Sequence, residues 1–310
     1  MSTFASQASG STAVDLSKLP FPAVIEVLSY DQLVQERKDA LIASVAAEDI
    51  HAAAALAIAL QLPSDPLVKL IEIEATREMN LRQRVNDAAK ARMLAYAVGS
   101  DLDHTVAPFG IERLVIQEET ETADAIDEGD DALRRRALLA PEGYSVAGPE
   151  GAYIFHALSA SGTVLDASAT SPEPGQVVVT VLSRLNNGVP DAPLLALVAA
   201  AVSAEGTRPL TDHVLVSAAD ILEFLIEARI HTFAGPDAAV VLAEANARLQ
   251  RYLEDSYRLG RDVTRSGIIT ALSADGVQDV ELIHPAANVV VSRTQAARCT
   301  AVSVTHVGLG

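Results

Sequence analysis

The sequence predicts an α+β fold class: an N-terminal helical arm followed by two small mixed α+β modules, elongated overall. Three observations carry this. Hydrophobic spacing is helical from Ser29 to about Val98, strand-like runs begin after Gly110, and a second strand-rich block follows Pro209. The corresponding segments are 1–28 (extended and partly disordered), 29–110 (the arm), 111–208 (a central module) and 209–310 (a C-terminal module).

Each element has a local reason. Asp15 to Pro22 carries Leu16, Leu19 and Phe21 between prolines, which favours an extended segment docked on another surface. Ser29-Tyr30-Asp31-Gln32 has the form of a capping box, and Leu33, Val34, Leu41, Ile42 and Val45 follow at helical spacing. The helix runs on, or restarts, through the alanine stretch to Leu62, and Pro63 stops it. Ser64-Asp65-Pro66 caps a long helix from Leu67 to about Val98, with Gly99 as its stop. On it Leu70, Ile71, Leu81, Val85 and Ala89 share a face, the candidate assembly interface.

Beyond Gly110, Leu133–Leu139 and Glu150–Leu158 read as helices. Thr163–Ala169 and Gln176–Ser183 read as strands joined in a hairpin by Pro172-Glu173-Pro174-Gly175. Asn186-Asn187-Gly188 marks a turn before an apolar helix, Pro193–Ala204. His213–Ser217 and Ile221–Thr232 are strands; Phe224, Ile226, Ala228 and Ile230 face one way on the second. Pro236 opens a helix with Leu242, Ala245, Leu249 and Leu253 on one stripe, ended by Gly260. A short helix (Ser266–Ser273) and strands Val277–Ile283 and Cys299–His306 complete the chain.

Composition excludes several function classes. The net charge is -18 from 23 basic and 41 acidic residues, so the chain lacks the basic footprint of a nucleic-acid binder. Its longest basic cluster, Arg134-Arg135-Arg136, reads as a solvated or partner-facing helix surface. The acidic run from Glu118 to Asp131 reads as an exposed loop and helix start. Cys299 is the lone cysteine, which rules out an intrachain disulfide, and it reads as a small buried apolar residue of a late strand. Met1–Val14 lacks the pattern of a signal peptide, and the most apolar windows, Ala52–Leu60 and Ala192–Ala204, are too short to span a bilayer. A soluble protein folded in a reducing cytoplasm, without membrane contact, is expected.

Ser100-Asp101-Leu102-Asp103-His104 is the densest polar cluster, but it lacks the remaining ligands and the glycine of a calcium loop. A helix restart capped by Ser100 or Asp101 explains it, and no metal is expected at Asp101, Asp103 and His104. The other histidines are scattered, without zinc-motif spacing. Gly148-Pro149-Glu150-Gly151 is followed by Ala152 where a phosphate loop needs lysine, and it reads as a loop capping the next helix. No pair of carboxylates is singled out as a catalytic site.

Several features together resemble the baseplate assembly protein J family of temperate contractile-tailed phages. They are Arg82-Gln83-Arg84-Val85-Asn86-Asp87-Ala88-Ala89, Leu94-Ala95-Tyr96-Ala97, Gly99 to Asp103, and Phe109-Gly110-Ile111-Glu112-Arg113. The start (Asp15 to Pro20, Pro22, Val24-Ile25-Glu26) and the middle (Glu142-Gly143-Tyr144, Gly148 to Tyr153, Asp166, Ser171 to Gly175, Arg208 to Asp212) are also similar. Order and spacing over nearly the whole chain carry the resemblance. It implies a structural wedge subunit of a tail baseplate in the virion, made in the host cytoplasm, with no catalytic residue and no cofactor, which pairs with itself and with the neighbouring baseplate protein I. Six wedges would surround the hub and spike. The alternative is a soluble cytoplasmic α+β enzyme with an unrecognised carboxylate site, which requires a well-formed pocket of perturbed titratable groups.

Overall fold

The computed structural model describes residues 22–120, 123–233 and 237–309. The expectations for the segment before Pro22, and for Pro236 as a helix start, lie outside the described residues. The chain divides into two compact units, Asp15–Gly110 and a unit containing Ile111–Gly310. The described part of the first is helical; the second is α+β.

In the first unit, α1 (Tyr30–Ala46) begins at Ser29, whose side chain accepts from the Gln32 amide as the capping box predicts. A break at Ala47–Asp49 separates it from α2 (Ile50–Ala59), which is capped by Asp49. Asp65 caps α3 (Pro66–Lys90), with Pro66 in the first turn. The helices meet in a small core: Leu60, Val68 and Ile71 pack with Val34, Leu41, Ile42 and Leu56. Polar contacts fix their arrangement. Arg37 on α1 pairs with Glu78 on α3, and the Lys38 ammonium donates to the Leu60 carbonyl at 2.9 Å.

Two sequence expectations change here. Helix α3 ends at Lys90, not near Val98, and its end tightens into turns in which the Arg92 and Met93 amides donate to carbonyls three residues back. Gly99 is not a stop; with φ +53° it opens α4 (Gly99–Val106). Ser100 and Asp101 therefore lie inside the first turn of α4, and Val98 occupies the cap position.

The second unit holds two three-stranded sheets and a small ribbon. The ribbon, β1 (Val115–Gln117) with β2 (Ile126–Asp127), leads into α5 (Asp130–Gly143) and α6 (Glu150–Ser159). Strands β3 (Val164–Thr170) and β4 (Gln176–Ser183) form the expected antiparallel hairpin. Helix α7 (Ala192–Val202) then carries the chain across, and β5 (His213–Ala218) pairs with β4 in parallel. Side chains from α5, α6 and α7, Leu139, Tyr153, Ile154, Leu194 and Val198 among them, form one core with Val179 and Val181 of the sheet.

The second sheet has the order β7-β6-β8. Its central strand β6 (Asp220–Thr232) pairs antiparallel with β7 (Val277–His284) and parallel with β8 (Gln295–Leu309). Helices α8 (Ala238–Ser256) and α9 (Arg265–Leu272) cover one face. Phe224, Ile226, Ala228 and Ile230 meet Leu242, Ala245, Leu249 and Leu253 there, the pairing of stripes that periodicity predicts.

The strand that follows the expected boundary at Arg208 pairs with the strand before it. Strand β5 belongs to the first sheet, and only the buried Ala219 separates it from β6, so one sheet gives way to the other at that residue. A strand following a turn carries no local mark of which sheet it joins; that is decided by the parallel register Gln176–His213 through Val181–Ala218.

Candidate assembly surface

An α-helix turns by about 100° per residue, which sorts the five residues expected on the α3 face. Leu70, Leu81 and Val85 fall within a sector of roughly 60°, while Ile71 and Ala89 lie about 100° from Leu70. The structure follows this division. Leu70, Leu81 and Val85 are 56%, 67% and 64% exposed, whereas Ile71 is buried in the arm's own core and Ala89 is half-buried. The five do not form one free face: three point outward and two inward. Leu67 extends the outward stripe, and the exposed ion pair Arg77–Glu74 divides it into two patches.

The inward face has a polar end. Asn86 is buried in line with Val68 and clamps the chain before α1: its Nδ2 donates to the Glu26 carbonyl at 2.9 Å, and its Oδ1 accepts from the Glu26 amide at 3.0 Å. Arg82 adds an ion pair to Glu26 at 3.4 Å. A groove of about 520 Å³ results, lined by Val24, Glu26, Leu81, Arg82, Val85 and Ala88 among others. Sequence reasoning missed the role of Asn86. Its only signal was a polar residue on an otherwise apolar helical face.

Asp101, Asp103 and His104 do not converge. They share α4, but Asp103 stands about 200° round the helix from Asp101, and Asp101 and His104 are exposed. Among the described residues no three His, Cys, Asp or Glu side chains gather as a metal site.

The arginine run is also corrected. Arg136 is buried and forms a 2.6 Å ion pair with Glu128, which is buried too. Arg136 further donates to the Glu112 carbonyl, and Arg113 bonds the Glu128 carbonyl and pairs with Asp130 at 2.8 Å. Arg135 pairs with the buried Asp166 at 2.6 Å; the second Asp166 oxygen accepts from the Leu259 amide at 2.9 Å. Asp166 thereby ties the first sheet to the segment after α8. Arg293 reaches back to Glu150, and its carbonyl accepts from the Ser168 hydroxyl at 2.7 Å. Near the first sheet, the buried Tyr153 hydroxyl donates to Asp212 at 2.7 Å, and burial raises its pKa. Arg208 bonds the carbonyls of Ser203 and Asp212, closing the loop between α7 and β5. The middle-region residues that carry the resemblance thus include much of the polar framework of this unit.

Comparison with known proteins accords with this arrangement. The Baseplate J-like N-terminal domain matches residues 63–120, the Baseplate J-like central domain 145–218, and the Baseplate J-like protein C-terminal domain 224–305. Baseplate protein J of Escherichia phage P2 is 44% identical over 291 residues, covering 93% of this chain and 95% of that protein. The chain belongs to the baseplate J-like family. The family's central and C-terminal domains meet where the two sheets do, between Ala218 and Phe224, and its N-terminal domain begins just before α3. No helix among the described residues of this baseplate J-like chain is long and apolar enough to cross a membrane.

Proposed function

We propose that this chain is a structural subunit of the tail baseplate of a contractile-tailed phage, a wedge component that acts by assembly rather than by turnover. The end-to-end similarity to baseplate protein J of Escherichia phage P2 carries the reading. The partners are a second copy of the chain and the neighbouring baseplate protein I. The outward patch of α3 supports an assembly role, because Leu70, Leu81 and Val85 are large apolar side chains left more than half exposed on one sector of a helix. Burying such surface yields about 25 cal/mol per Å², and a stable interface covers about 800 Å² on each side.

The test is sedimentation of the full chain, alone and mixed with protein I from the same tail gene cluster. A complex of defined stoichiometry, incorporated into purified baseplates, is expected. A chain that stays monomeric in both settings and is absent from assembled tails refutes the reading.

A further inference from the structure

The larger unit contains a small pocket, about 50 Å³, between α5, the start of β3 and the segments that follow β4 and α8. Four guanidinium side chains reach its wall: Arg135, Arg136, Arg184 and Arg258. Two are matched, Arg136 by Glu128 and Arg135 by Asp166. Asp131, on the rim, is paired with Arg134 at 2.6 Å. Arg184 and Arg258 have no carboxylate partner among the described residues. Each has only a backbone acceptor at 3.0 Å, Gly162 for the Arg184 Nε and Tyr257 for the Arg258 Nη1.

Half-buried cations left in this way are costly, because water is removed and no carboxylate bonds to them directly. Burial lowers the pKa of both arginines, Glu128 and Asp166 offset this in part, and the guanidinium of Arg135 pushes both further down. Scarcity of carboxylates is not the reason, since the chain has 41 acidic residues against 23 basic ones. An unmatched cationic pocket in so acidic a chain is incomplete by itself. We infer that this pocket is a receptor for a single carboxylate supplied by another protein chain, gripped by the Arg184 and Arg258 guanidiniums. Paired guanidiniums suit the two oxygens of a carboxylate, and the cavity admits one such group. A nucleic-acid strand is disfavoured by the net charge of -18. The protein source of the carboxylate rests on the assembly reading above; the affinity for a carboxylate does not.

The test uses the full chain and its Arg184→Gln/Arg258→Gln double variant. Thermal unfolding is followed with sodium acetate, inorganic phosphate or sodium chloride at matched ionic strength. Saturating acetate is expected to raise the melting temperature of the wild type by about 3 °C and that of the variant by less than about 1 °C. In chloride the variant should melt within about 2 °C of the wild type, because lost like-charge repulsion offsets the lost bonds to the Gly162 and Tyr257 carbonyls, and its association should weaken about tenfold or more. A variant that melts well below wild type in chloride shows that the arginines serve this chain's own fold, which overturns the inference. Phosphate acting at concentrations far below acetate overturns it in favour of a free-phosphate site. Absence of an acetate response overturns the pocket assignment whatever the association state. An acetate response in a wild type that never associates supports the pocket and refutes the assembly reading.

Discussion

Truncating Leu81 and Val85 to alanine separates an assembly surface from a structural one. Fully burying a leucine or valine side chain yields about 1.5–3 kcal/mol. These two are 67% and 64% exposed, so about two thirds of that gain remains to be realised on binding. Each contributes about 1–2 kcal/mol to an interface that covers it, and the pair about 2–4 kcal/mol. At 1.4 kcal/mol per tenfold, the double variant should bind about 30- to 700-fold more weakly. The fold should barely change, because exposed substitutions away from caps and networks stay within about 0.5 kcal/mol. Aspartate at both sites should abolish the contact, since two unpaired charges would then be desolvated. Sedimentation velocity over a concentration series gives the Kd, and thermal unfolding gives the fold. A Kd within threefold of wild type for both double variants, with unchanged melting, refutes the assignment of α3's outward face. Ile71→Ala is the internal control: buried with Leu60 and Val68, it should cost about 2–5 kcal/mol of arm stability instead.

Three further outcomes follow from the polar framework. Asn86→Leu removes both bonds to the Glu26 backbone and should release the segment before α1, seen as a loss of amide-exchange protection at Glu26 and a cost of about 1–3 kcal/mol. Glu128→Gln breaks a pair in which both side chains are nearly fully buried, and should cost about 3–5 kcal/mol in denaturant unfolding. His156 is half-buried, and burial holds its pKa below the ordinary value of 6.5, against the pull of the Gly143 carbonyl that its ring nitrogen meets at 3.1 Å. The unfolded chain therefore takes up this proton at a higher pH than the folded one. The stability due to His156 is full above about pH 6.5 and is lost as pH falls through the lower folded value; His156→Gln should flatten that part of the stability–pH curve.

Features that depend on near neighbours in sequence were legible. Ser29 and Asp65 cap helices where their side chains find an amide two or three residues on, and Pro172 to Gly175 turns the β3–β4 hairpin. The stripes of β6 and α8 emerge as a single core because periods of 2 and 3.6 each mark one face. What depends on distant partners was not legible. Residues 91–98 contain good helix formers, yet α3 ends at Lys90 and Ala97 is taken up fully into the interior. The β1–β2 ribbon has strands of 3 and 2 residues, too short for any periodicity. The outward–inward division of Leu70 from Ile71 was available from the 100° step alone, and grouping the two on one face overlooked it.

The arginine run shows why a charge cluster in sequence does not predict a charged surface. Consecutive helical residues point about 100° apart, so three adjacent arginines face three surroundings. In α5 the mostly covered Arg134 pairs with the exposed Asp131, Arg135 with Asp166 on β3, and Arg136 turns inward to Glu128. The acidic run that leads into α5 divides in the same way, with Glu128 buried and Asp131 exposed. Two runs of opposite sign thus become one buried pair, one tie to the sheet and one pair with only its acidic partner exposed. The two arginines without a carboxylate, Arg184 and Arg258, come from elsewhere in the chain and meet the run only in the folded unit. An excess of positive charge beside α5 is therefore a property of the tertiary structure, and it arises in a chain whose overall charge has the opposite sign. A partner drawn to that spot must bring its own anion, which directs the search to acidic residues on neighbouring chains.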